Sequence, residues 1–228
     1  MTGANRNVWK VRIGLVALAI GAWFLTQKLI AGRTPPEAGI NDGMHRLTAP
    51  LHNWLWVHPA AADALMIVSS GFIDGFAIFV LLSAIFGKTF RPFIGLFILF
   101  VLRQICEGLV SLPTPEHMIW RYPGCPAILV TYGVATDLFF SGHTSVAVFG
   151  ALELGRRGKG WLAFGICVAI FEALTVLTLR AHYTMDVFAA AMTALYVSKL
   201  SEWLAPYCDR GIARLAGAPP PIETRSPE

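Results

Sequence analysis

Two short stretches hold the residues best suited to chemistry: Ser141-Gly142-His143 and, about forty residues later, His182-Tyr-Thr-Met-Asp186. Each sits where an apolar run begins. A histidine and an aspartate four apart share one face of a helix, so Asp186 is expected to accept the N–H of His182 and fix its tautomer. The other ring nitrogen of His182 is then free as a nucleophile. His143 is the matching proton donor and acceptor for a leaving and an entering oxygen. Taken singly, either pair reads as well as a packed membrane histidine or as half of a zinc site. Two such pairs at one membrane depth point to catalysis.

The elements that must position these residues are membrane helices. Of 228 residues, 55% are hydrophobic and only 14% charged, a balance that marks a membrane protein rather than a soluble domain. The net charge of +4 is spread through short connections instead of forming a patch, which argues for membrane topology and against a nucleic-acid partner. Four cysteines, two of them inside apolar runs, give neither a disulfide framework nor a CxxC zinc motif.

A membrane helix needs roughly 20 apolar residues to cross a core of about 30 Å. Six stretches qualify: Ile13 to Ile30, Ala61 to Phe86, Phe93 to Leu112, Leu138 to Leu154, Trp161 to Leu179 and Tyr183 to Leu204. The first resembles a secretory signal at its start, but its length reads as an uncleaved span. Ser141, His143, Thr144 and Ser145 dilute the fourth, and polar residues inside a span usually face a protein interior or a cavity. The expected fold is therefore all-α: a six-helix transmembrane catalytic domain over residues 1–205, followed by a disordered cytoplasmic tail over 206–228. Pro35-Pro36, Asn41-Asp42-Gly43 and Pro50 break the connection from Ala31 to Ala60, whose His52, Trp54, Trp56 and His58 suggest a segment lying at the interface. The loop from Pro113 to Thr136 is the second long connection and a candidate for substrate selection.

Lys and Arg orient the bundle. Twelve fall on the side of the N-terminus and tail and five on the other, with Arg103 inside a span. The positive-inside rule puts both termini in the cytoplasm, and the expected location is the plasma (bacterial inner) membrane, as an integral protein. The fourth and sixth spans then both begin at the extracytoplasmic face, so His143, His182 and Asp186 converge at one leaflet. A lipid phosphodiester held there needs fixed donors and positive charge. The amides near Ser141 and Gly142 open a helix and suit an anion. Arg180, two residues before His182, supplies charge on one reading and on the other reaches for the headgroup layer. Arg103, inside the third span with Glu107 one turn on, is either a packing ion pair or a functional charge. Asp74 and Glu172 are expected to pair within the bundle.

The runs DLFFSGHT (Asp137 to Thr144) and HYTMDV (His182 to Val187) resemble the two signature motifs of the sphingomyelin synthase family, a branch of the type 2 phosphatidic acid phosphatase superfamily. Arg91, Arg103 and the following SLPTP (Ser111 to Pro115) also match that family's arginine-containing segment, with Phe90 and Phe100 replacing its first Arg and its Tyr. Ala135-Thr136 stand where the family has Cys-Gly, and its Pro-Leu-Pro-Asp motif is absent. The resemblance covers Arg91 to Thr193. It implies a PAP2-like core and adds Asp137 to a substrate-binding set of Arg103, Ser141, Gly142 and Arg180. It also implies a metal- and cofactor-independent reaction. His182, oriented by Asp186, takes the phospho-headgroup of a membrane phospholipid while His143 protonates the departing alcohol; a lipid alcohol such as ceramide, or water, then accepts it. A lipid alcohol makes the protein a transferase, water a phosphatase or phospholipase C. A serine protease with a Ser141/His182 dyad leaves Asp186 and His143 surplus, and a transporter requires Asp74, Arg103, Glu107 and Glu172 to matter instead of His182.

Overall fold

The computed structural model describes residues 3–32, 40–132 and 137–218. The departure at Ala135-Thr136, the Pro35-Pro36 pair and the last ten residues lie outside them. Within them the chain is all-helical, with no strand. Its elements are α1 (Gly3–Ala31), α2 (Gly43–Leu47), α3 (Ala49–Val57), α4 (Pro59–Phe86), α5 (Arg91–Leu109), α6 (Gly142–Gly155), α7 (Lys159–Thr178) and α8 (Thr184–Leu215). Four of these, α1, α4, α5 and α7, are long and apolar enough to cross a membrane. Large apolar side chains such as Leu18, Leu25, Leu82 and Ile170 are exposed on them, as lipid-facing surfaces require.

The helix carrying His143 lies at the centre. α6 packs against α4, α5, α7 and α8, and residues on every side of it are buried. Glycines permit those approaches: a Cβ on Gly95 of α5 would meet the Phe149 ring at 2.2 Å, and one on Gly165 of α7 would meet Ala151 at 2.6 Å. α6 has only 14 residues, because the stretch expected to begin at Leu138 becomes helical only at Gly142. Ser141 caps it, accepting the amide of Thr144 at 3.3 Å, so the serine that dilutes the apolar run is the signal that starts the helix.

At the far end from His143, Arg91 makes a buried two-pronged ion pair with Glu153, tying the start of α5 to the end of α6. Arg91 is therefore a structural clamp. Arg103, twelve residues on, lies about 18 Å away along the helix.

From Pro206 to Leu215 the chain is helical, unlike the disordered tail expected over 206–228. α8 continues through Pro206 to Leu215. Pro206 faces outward, and the extension is held by packing: Ala205 and Ile212 join Val16, Ala84, Phe90, Phe93 and Ile94 in one apolar cluster. Asp209 accepts the Thr89 hydroxyl at 2.6 Å and the Phe90 amide at 2.8 Å, capping α5. The single-residue disruption of a proline is local, and these contacts on either side outweigh it.

The connection from α1 to α4 carries two short helices. Trp54 and Trp56 of α3 are exposed, in keeping with an interfacial segment, whereas His45 and His52 are buried against the turn that precedes α8.

Candidate active site

α7 ends in a Schellman turn. Arg180 takes the left-handed conformation at φ 55°, the Ala181 amide donates to Val176 at 2.8 Å and the Arg180 amide to Leu177 at 3.1 Å. Arginine at a position that favours glycine costs about 1 kcal/mol. The turn reverses the chain within a few residues and leaves His182 just ahead of α8. Three contacts fix it: the His52 ring donates to Thr178 at 2.8 Å, the His45 ring to the carbonyl of His182 itself at 2.8 Å, and the Tyr183 hydroxyl to Pro113 at 2.9 Å. Asp42 caps α2 and also accepts the amide and hydroxyl of Thr184, both at 2.6 Å. Burial opposes ionisation of Asp42, but the Thr184 and His45 donors prevail and hold its carboxyl below the ordinary range.

Nδ1 of His182 lies 2.8 Å from the carbonyl oxygen of Leu138. A carbonyl only accepts, so Nδ1 carries a proton, and it is Nε2 that bears the lone pair whenever the ring is neutral. The expected orienting hydrogen bond from Asp186 is not made. Asp186 Oδ2 stands 3.7 Å from Nδ1 and instead accepts the Tyr183 amide at 2.7 Å, capping α8. The spacing rule fails because His182 precedes the first helical residue, Thr184, so the two side chains do not share a helix face. Asp186 is fully buried beside the ring, and its Oδ1 has no hydrogen bond among the described residues. The carboxyl thus lies beside the His182 ring without a hydrogen bond to it.

His143, His182, Arg103, Asp137 and Gly142 line one cavity of about 50 Å3, whose walls also include Trp23, Phe100 and Trp120. The His143 and Trp120 rings make a T-shaped contact with centroids 5.3 Å apart, and His143 Nε2 is buried without a partner among the described residues. The Arg103 guanidinium donates through Nε to Phe140 at 3.0 Å and pairs with Glu107 at 2.6 Å and with Asp137. A Cβ on Gly142 would lie 3.3 Å from Arg103 Nε, so glycine lets the guanidinium reach the opening turn of α6. The first amides of that turn lack intrahelical acceptors, giving the cavity a positive end.

Two expected binding residues stand elsewhere. The Ser141 side chain is fully buried as a helix cap, and Arg180 donates to Glu116 at 2.9 Å and lines a separate polar cavity with Asp42, His45 and Arg46. Asp74 accepts the amides of Ile128 and Leu129 at 2.8 and 3.0 Å and so anchors the long loop, while Glu172 accepts the Ser69 hydroxyl at 2.6 Å. Sequence reasoning missed Gln27, which reaches from α1 to Asp137 and accepts from Gln104 at 3.0 Å, and Thr131, which donates to Asp137 at 3.2 Å. A glutamine inside an apolar run was the available signal for the first.

Against known families, the AtPDCT1/2 family model matches residues 41–203, a stretch holding both histidine motifs, Arg103 and every helix from α2 into α8. The chain belongs to the AtPDCT1/2 family. This is a different family from the sphingomyelin synthases that its motifs resemble. No curated protein and no solved structure matches the chain.

Proposed function

We propose that this AtPDCT1/2 family member is a membrane lipid phosphotransferase that moves a phospho-headgroup from a glycerophospholipid to a lipid alcohol such as ceramide. The observation that carries the reading is the tautomer of His182: its Nδ1 is committed to Leu138, leaving a nucleophilic Nε2 on a ring that lines the cavity of His143 and Arg103.

In the first step Nε2 of His182 attacks phosphorus, the P–O bond to the diacylglycerol oxygen breaks, and His143 gives that oxygen its proton. The ring, now bonded at both nitrogens, carries positive charge that Asp186 offsets. In the second step His143 takes the proton of the acceptor hydroxyl, whose oxygen attacks phosphorus as the P–N bond breaks. Arg103 and the opening amides of α6 bind the nonbridging oxygens. The charge set favours this reading over a phosphomonoester phosphatase. Arg103 is accompanied by Asp137, Glu107 and Asp186, a net acidic group that suits a headgroup with its own cation better than a dianionic monoester.

In this reading six helices, α1 and α4 to α8, cross the membrane in a PAP2-like core. α8 from Thr184 to Trp203 covers about 30 Å, the thickness of the bilayer core. α6 covers only about 21 Å, which sets His143 roughly 9 Å below the membrane surface. Basic residues gather at the opposite end, giving cytoplasmic termini and an extracytoplasmic site.

The test is a lipid-product assay by mass spectrometry. Purified protein is given phosphatidylcholine or phosphatidylethanolamine, with and without ceramide, beside phosphatidic acid and a His182→Ala control. A phosphosphingolipid that needs ceramide and is absent from the control supports the transferase. Free phosphate or phosphoalcohol released regardless of acceptor would make the protein a hydrolase instead.

A further inference from the structure

A second cavity opens beside the first. It is an apolar groove of about 380 Å3 between α1 and α5, and Trp23, Phe100 and Leu129 form walls of both. On α5 its lining recurs at helical spacing from Phe93 through Leu96 and Phe100 to Ile105. That stripe is about 18 Å long, the dimension of an extended acyl chain rather than of a headgroup. Among the described residues its polar linings are Thr26, Gln104 and the indole N–H of Trp23, gathered at the end near the histidines. The Thr26 hydroxyl is satisfied by the carbonyls of Ala22 and Trp23, at 3.1 and 2.9 Å. Gln104 donates to Gln27 and Glu107, which fixes its amide orientation, and its Oε1 is left without a hydrogen bond among the described residues.

We infer that this groove holds an acyl chain of the lipid alcohol whose oxygen reacts at the histidine cavity, with Gln104 at the junction of chain and polar backbone. The inference rests on the phosphotransfer reading and extends it. In a two-step transfer the departing and entering alcohols occupy the same place, so one groove serves both half-reactions. The continuity of the walls separates this occupant from the lipid that coats any membrane helix: a chain lying here has its polar end at Trp23 and Phe100, against the reacting groups. It also explains why α1 contributes to the site through Trp23 and Gln27.

Two substitutions on opposite walls fill the groove without touching the histidines: Ala22→Trp and Val101→Trp, both at exposed positions. Each is expected to lower turnover of long-chain lipids at least tenfold and to leave a six-carbon-chain phospholipid within threefold, with Leu18→Trp on the outer face of α1 as control. Equal effects on both chain lengths, or none, overturn the inference. Photolabelling with a phospholipid bearing a diazirine along its acyl chain, in His182→Ala protein, reads the groove independently of turnover. Label concentrated on residues 19–26 and 97–105 supports it even if no transfer product is ever found. Label spread evenly over the exposed faces of α4 and α7 shows annular lipid only and overturns it.

Discussion

Replacing Asp186 by asparagine separates its charge from its cap. The asparagine oxygen still accepts the Tyr183 amide, so the start of α8 is preserved, while the negative charge 3.7 Å from Nδ1 of His182 is lost. Two unit charges at that distance interact by about 4 kcal/mol at an effective dielectric of about 20. In the proposed reaction the ring gains its positive charge as Nε2 bonds to phosphorus, so the whole of that interaction falls on the transition state and intermediate. At about 1.4 kcal/mol per factor of ten, kcat is expected to fall about 1,000-fold. Initial rates in detergent–lipid micelles at saturating donor measure this, with thermal unfolding as the control for the fold. Asp186→Ala removes the cap as well and is expected to cost about 1 kcal/mol of stability in addition. An Asp186→Asn enzyme within threefold of the wild-type kcat, with an unchanged Tm, would refute the charge argument.

Arg91→Ala breaks the buried pair with Glu153 and is expected to destabilise by about 3–5 kcal/mol while leaving the KM of the folded fraction unchanged; adding Glu153→Leu recovers much of the loss, as unfolding measurements would record. Arg180→Gly relieves the left-handed backbone and is expected to raise Tm by about 2–4 °C, with turnover within threefold, because Arg180 faces the outer polar cavity rather than the histidines. Acid acts through His52 before Asp42. Burial lowers the pKa of His52, so its contribution to stability is complete above its unfolded value of about 6.5 and is lost as pH falls below it. The Asp42 carboxyl is held low, so its contribution is complete above about 3.9 and is lost only as pH falls through its folded value. Tm is therefore expected to be flat from pH 7 to 8 and to decline from pH 6.5 to 5, and the decline to vanish in His52→Gln.

What was legible in the sequence was whatever depended on neighbours along the chain. Arg103 and Glu107 pair because both lie in one regular helix, and Ser141 starts α6 because serine caps helices. The two histidines meet at one cavity because alternating helices bring the start of α6 and the start of α8 to the same end. Asp186 was misread for a local reason of another kind: the helix begins two residues after His182, and a boundary shift of that size changes which face a side chain occupies. The orienting carbonyl of Leu138, the reach of Gln27 and the hold of His45 and Asp42 on the turn are contacts between residues 44 to 142 positions apart. Nothing in local spacing announces them. The helix from Pro206 to Leu215 was hidden because proline outranks the packing of Ala205, Ile212 and Asp209 in any reading that lacks the partner helices.

The claim that phosphate passes through His182 is tested most directly by trapping it. Protein is incubated with phospholipid labelled at the headgroup phosphorus, without acceptor, and quenched in base, where phosphohistidine survives. The modified residue is mapped by mass spectrometry and the substituted nitrogen assigned by NMR. Label on Nε2 of His182, discharged when ceramide is added, is the expected result. Product formed with no label on His182, or label on Nδ1 or on another residue, would contradict it.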